Sequence, residues 1–162
     1  MQILTVLCVT IGMLALPLDT AAGAPADESS YVGRVLDLTN AEREKAGLAP
    51  LSLNQQLTDS AQGYSELLAW SGCFAHTCGP VPDFVERDAA VGYTAWSAIG
   101  ENLAAGYPSP EAVVGGWMAS PGHRANILSP QFTEIGIGLA DGAPPYNTYW
   151  TQEFGAPGDP SS

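Results

Sequence analysis

The stretch W-M-A-S-P-G-H-R-A-N-I-L-S at residues 117–129, taken with F-T-E-I-G-I-G-L-A at 132–140, decides the class of fold. Just upstream, Ser109-Pro110-Glu111 has the chemistry of a helix start. It offers a capping hydroxyl, a proline in the first turn and an acid at the positive end of the helix dipole. That helix carries Val113, Val114 and Trp117 inward and breaks at Pro121, and His123 to Leu128 can form one or two further turns. The period then changes. Ile135, Ile137 and Leu139 fall on one face, with Glu134, Gly136 and Gly138 on the other. After the turn residues Asp141-Gly142 and Pro144-Pro145, alternation resumes over 146–154, with Tyr146, Thr148, Trp150, Gln152 and Phe154 opposite Asn147, Tyr149, Thr151 and Glu153. This pattern predicts an antiparallel hairpin.

Working outward, Val32, Val35, Leu36 and Leu38 predict a helix over 31–46 that Gly47 can close in a left-handed cap. Pro50 marks a turn, and Ser52 with Gln55 reads as a capping box opening a helix to about Ser71. Leu57, Ala61, Tyr64 and Leu68 share one face of that helix, and Gly72 stops it. Residues 79–98 are weakly patterned and hold the charged triplet Glu86-Arg87-Asp88, and I-G-E-N-L-A-A-G at 99–106 reads as a short extended segment. Helices first and a hairpin last make an α+β plan in one domain.

The amino terminus has a separate character. Ile3 to Leu16 is an apolar run of signal-peptide length, followed by small residues that suit cleavage at Ala22 or Ala26. The run is short for a membrane anchor. The expected organisation is a signal peptide over 1–26, a flexible leader over 27–30, a folded domain over 31–155 and a loose tail over 156–162. Export is the consequence, with no membrane span once the signal is removed. Cys8 leaves with the signal, so Cys73 and Cys78 remain from the three cysteines. An exported protein would bridge them, and the small loop they close would hold His76 rigid. Two zinc ligands at this spacing are the alternative, although no second cysteine pair completes a structural site.

Of 17 acids and 5 bases only Asp19 lies in the signal, which leaves 16 acids against 5 bases and a net charge of −11 beyond residue 26. Such a surface repels nucleic acid and anionic headgroups, and no basic stripe offsets it. Nucleic-acid binding is excluded.

The two histidines of the chain, His76 and His123, are its only neutral nitrogen ligands at pH 7. With Glu101 they could hold zinc or a similar divalent ion, or each could pack and hydrogen-bond at a helix end. Ser120, three residues before His123, invites a serine-hydrolase reading. Pro121-Gly122 disrupts the helix between them and no G-x-S-x-G elbow is present, so a capping role for Ser120 is favoured. Arg124 is expected in an internal ion pair and Glu134 toward solvent. Trp117, Trp150, Tyr149 and Phe154 belong to the core or line a lipid-sized groove.

The segments N-A-E-R-E-K-A-G-L-A-P-L-S-L-N (40–54), F-A-H (74–76), G-E-N-L-A (100–104), S-P-G-H-R-A-N-I-L (120–128) and F-T-E-I-G-I-G (132–138) resemble, in order, the SCP domain of the CAP superfamily. This is the family of cysteine-rich secretory proteins, insect venom antigens and plant pathogenesis-related proteins, and the likeness is strongest to its short bacterial-type members. The resemblance implies an α-β-α sandwich with a small antiparallel sheet between helices. It also implies a cleft formed by His76, Glu101, Ser120 and His123, in which His76, His123 and Glu101 could hold a divalent metal. Ser120 stands where many members carry a second glutamate after the helix tryptophan, so the metal expected here is weakly held. For function, the resemblance implies a secreted binding module for a small apolar ligand such as a sterol or fatty acid. A metal-assisted peptidase, or a protein–protein module at a cell surface, are the alternatives.

Overall fold

The computed structural model describes residues 28–158. The expected signal segment with Cys8 lies outside the described residues, as do 159–162. The elements are α1 (Glu28–Lys45), β1 (Ser52–Leu53), α2 (Gln55–Ser71), α3 (Phe84–Ala90), β2 (Trp96–Ala105), α4 (Pro110–Ala119), α5 (Pro121–Ile127), β3 (Glu134–Asp141) and β4 (Thr148–Pro157). The strands form one sheet in the order β1-β3-β4-β2. β4 pairs antiparallel with both of its neighbours, and the short β1 adds in parallel to β3. The fold is α+β, with the sheet mixed rather than purely antiparallel. Among the described residues no helix is long and apolar enough to cross a membrane.

Helices cover both faces of the sheet. On one side α1, α4 and α5 bury Val35, Val113, Trp117 and Ile127 against Ile135, Ile137, Trp150 and Phe154. On the other, Tyr64 and Leu68 of α2 pack with Cys78, Leu103 and Tyr149. Both faces of the terminal hairpin are therefore buried. The glycines on the second face of β3 explain how α2 fits there. A Cβ at Gly136 would overlap the Leu57 backbone, and one at Gly138 the Ala61 backbone, so α2 rests directly on the strand. Gln62 locks the contact, its amide donating to Leu139 O at 2.9 Å and its oxygen accepting from Leu139 N at 3.0 Å.

Several boundaries differ from expectation for identifiable reasons. α1 begins at Glu28, inside the expected leader, since D-E-S-S contains no residue that stops a helix. Pairing with β3 draws Ser52 into β1, and its N–H donates to Thr133 O. The cap of α2 moves to Asn54, whose side chain accepts from Leu57 N at 3.2 Å. Gly72 stops α2 as expected, and it does so in the left-handed region. Of the segment at 99–106, residues 99–105 form the second part of a ten-residue strand that begins at Trp96. Its partner β4 therefore runs on to Pro157, into the expected tail. Pro121 does not merely break a helix; it occupies the first turn of α5, two residues before His123. The weakly patterned stretch contains α3, capped by Asp83. Its one fully buried residue is the acid Asp88, so hydrophobic periodicity could not reveal it.

Candidate functional site

The site lies along the outer edge of β2, where residues of the G-E-N-L motif alternate between the two faces of the sheet. Glu101 points to the α2–α3 side and meets His76. Tyr64 holds the loop that carries His76, donating from its hydroxyl to Ala75 O at 2.6 Å, and the Cys73–Cys78 disulfide closes that loop. His76 Nδ1 and Glu101 Oε1 are 2.6 Å apart. A carboxylate facing Nδ1 places the ring proton there, which leaves the Nε2 lone pair free. The Glu101 side chain is 1% exposed and that of His76 57%, so a buried acid orients an accessible imidazole.

Asn102, on the opposite face, anchors the other histidine. Its amide donates to His123 O at 3.1 Å and to Gln152 Oε1 at 3.2 Å. Asn126 of α5 donates to Glu101 O at 3.0 Å and to Asn102 Oδ1 at 2.9 Å. Gln152 continues the chain to Thr39 Oγ1 at 3.0 Å. This buried network fixes α5, and with it His123, to the edge strand. Burial first, and proximity to the His76 imidazole second, lower the pKa of His123, which is uncharged at neutral pH. His123 and Ser120 border a cavity of about 290 Å³ whose remaining wall includes Phe74, Leu103, Tyr107 and Trp117.

Sequence reasoning missed the charged residues behind His76. Arg87 of α3 pairs with Glu101 Oε2, and its Nη2 lies 3.5 Å from Glu153 Oε1. Its Nη1 donates to Pro82 O at 2.8 Å and to His76 O at 3.2 Å, and its guanidinium sits 3.4 Å above the Tyr64 ring. Glu153 is fully buried, and burial, followed by the neighbouring Glu101 and Asp88, holds its pKa well above the usual range. The available signals were Arg87 itself, in the Glu86-Arg87-Asp88 triplet, and an acid within an otherwise uncharged strand.

The structure thus joins His76 directly to Glu101 and sets His123 beside Ser120 in one adjoining cavity. Ser120 occupies the cap position of α5, but its hydroxyl makes no capping hydrogen bond. Arg124 is exposed and makes none of the ion pairs found among the described residues. Glu134 is not left to solvent; it accepts from Asn54 Nδ2 at 3.1 Å and from the Tyr93 hydroxyl at 2.8 Å. Trp117, Trp150, Tyr149 and Phe154 are all core, and Trp117 also lines the cavity. The residues do not fit a resident metal. Both Glu101 oxygens are engaged, and no group of three His, Cys, Asp or Glu among the described residues could hold an ion.

Asp88 supplies a pH prediction. Its carboxylate is fully buried, and burial pushes its pKa up from 3.8 to about 6. The Ser60 hydroxyl eases this shift without reaching hydrogen-bond geometry. A raised native pKa favours the protonated form, so the contribution is complete below pH 3.8 and lost as pH rises through about 6. Ionised Asp88 should cost the native state about 2–3 kcal/mol at pH 7. Asp88→Asn is expected to stabilise the protein at pH 7 and to flatten the stability profile between pH 4 and 7. Urea unfolding across that range checks it, and a variant with an unchanged pH slope contradicts the assignment.

The sequence matches the cysteine-rich secretory protein family (CAP) over residues 36–154, and the chain belongs to that family. It is 38% identical over 136 residues to the uncharacterized protein YkwD of Bacillus subtilis (strain 168), covering 84% of this chain and 51% of YkwD. The uncharacterized membrane protein YlbC of the same organism is 35% identical over 124 residues, with 75% and 33% covered. The chain thus spans about half or less of the length of these relatives. Among solved structures, an extracellular SCP-domain protein of Bacillus anthracis str. Ames superimposes with a TM-score of 0.73 at 31% identity, over 80% of this chain and 41% of that one. An outer surface protein of Borrelia burgdorferi gives a TM-score of 0.73 at 20% identity, over 81% and 96%, a likeness of fold alone.

Proposed function

We propose that this chain is an exported binding module whose cleft takes one end of a small, largely apolar ligand such as a sterol or a fatty acid. The observation that carries this reading is the cavity of about 290 Å³ with Phe74, Leu103, Tyr107 and Trp117 on its wall and Ser120 and His123 beside them. Its size is at the low end for ligand sites, so it suits part of a ligand, with the remainder outside. An uncharged His123 beside a hydroxyl offers hydrogen bonds rather than a full charge, which favours an alcohol or a neutral acid as the polar end. The signal-like segment over 1–26 supports export, as does likeness to an extracellular protein and an outer surface protein.

The peptidase alternative draws on the Glu101–His76 pair, which presents Nε2 as a base. The apolar wall beside Ser120 and His123 favours binding over this alternative. The test uses cholesterol and dodecanoate as probes. Tryptophan fluorescence should change saturably with at least one of them, and Ser120→Phe, which fills the cavity mouth, should weaken binding by about tenfold, as the loss of one buried apolar contact allows. Absence of saturable binding of both probes, or equal affinity in Ser120→Phe, overturns the reading.

A further inference from the structure

We propose that Arg87 is the built-in counter-cation of this cleft, its guanidinium supplying the positive charge at Glu101 and Glu153 that a bound divalent ion would otherwise supply. The inference is independent of the apolar ligand.

The sheet itself creates the need for a cation. Glu101 and Glu153 stand directly opposite each other on neighbouring strands, and both are buried. Two carboxylates placed so close together, away from water, cannot both remain charged without a cation between them. α3 delivers one. Arg87 reaches Glu101 and Glu153 through the same nitrogen, while its other amino group is held by the carbonyls of His76 and Pro82 and its face by Tyr64. The side chain is 10% exposed. The guanidinium is positioned by five separate protein groups.

The same contacts disfavour a metal at Glu101. Oε1 accepts from His76 and Oε2 from Arg87, so a cation approaching Glu101 meets the guanidinium charge already seated there. Ser120 adds no charge to attract it. Arg87 also ties its two functions together, because the guanidinium that neutralises Glu101 binds the backbone of the histidine that Glu101 orients. Neutralisation and placement of His76 thus come from one side chain that does not depend on metal supply.

The experiment is zinc titration by calorimetry at pH 7, on the wild type and on variants whose folding is verified by circular dichroism. In the wild type, Glu153→Gln is expected to change zinc affinity by less than about twofold, because the guanidinium and not an ion sits between the two carboxylates, whereas loss of a true ligand costs about 10–100-fold. Removing the guanidinium should create a site. Arg87→Met is expected to bind zinc at least about tenfold more tightly than the wild type, and His76→Ala added to it should abolish the gain. Arg87→Met combined with Glu153→Gln removes one buried carboxylate together with its cation and serves if the single variant does not fold. The proposal is overturned if wild-type zinc binding drops about tenfold or more in Glu153→Gln. It is equally overturned if a folded Arg87→Met variant gains no zinc affinity. Should neither Arg87 variant fold, the comparison of wild type with Glu153→Gln decides alone.

Discussion

Trp117→Ala is expected to cost about 3–5 kcal/mol of unfolding free energy, the range for removing a buried tryptophan. Trp117 is 1% exposed, one of the largest fully buried side chains, and packs in the core beneath α1 and α4. Its Nε1 also donates to Leu103 O at 3.1 Å, which caps a carbonyl on the outer edge of β2. Truncation would leave a void and an unpaired edge carbonyl together. The void would also open into the cavity beside Ser120 and His123, since Trp117 forms part of its wall. Trp117→Phe keeps much of the volume and loses the hydrogen bond, so it isolates a smaller cost of about 1–2 kcal/mol from the carbonyl. Urea unfolding followed by circular dichroism measures both. A loss below about 1 kcal/mol in Trp117→Ala, the size of a surface change, would remove Trp117 from the core.

A comparable loss, about 3–5 kcal/mol, is expected for Arg43→Ala, within the range for breaking a buried charged interaction. Arg43 lies near the end of α1 and is 2% exposed. It donates from Nε to Ala49 O at 2.8 Å, from Nη1 to Ile127 O at 2.9 Å and Ser129 O at 2.8 Å, and from Nη2 to Phe132 O at 3.1 Å. One guanidinium thus joins the end of α1 to the end of α5 and to the loop entering β3. Burial lowers its pKa, and four carbonyl dipoles stand in place of a carboxylate partner. Removing it leaves those acceptors dry. Arg43→Lys keeps the charge but loses the planar fork, and should still cost about 2 kcal/mol, the scale of losing charged hydrogen bonds. Equal stability of Arg43→Lys and wild type in urea unfolding would show that charge alone, without the fork, holds these segments.

Local chemistry determined much of this protein. The Ser109-Pro110-Glu111 start, the Gly72 stop, the alternation of the terminal hairpin and the inward faces of α2 and α4 all follow from rules that act within a few residues, and each is present in the fold. The disulfide followed from there being one cysteine pair beyond the expected signal segment. The motifs around His76, Glu101 and His123 identified the family before any geometry was known.

What only the tertiary structure decided was the partner of each group. Glycine at 136 and 138 reads as the open face of a strand, yet those positions admit the backbone of α2. Arg87 and Glu153 are 66 residues apart in the chain and become neighbours only when α3 docks beside the strands that carry Glu101 and Glu153. α3 itself has no apolar stripe to announce it, because it buries an acid and a guanidinium in place of hydrocarbon. Hydrophobic periodicity reports which side of a segment avoids water. It carries no record of which charge will meet which, because that depends on the three-dimensional packing of segments whose separation along the chain has no local signature.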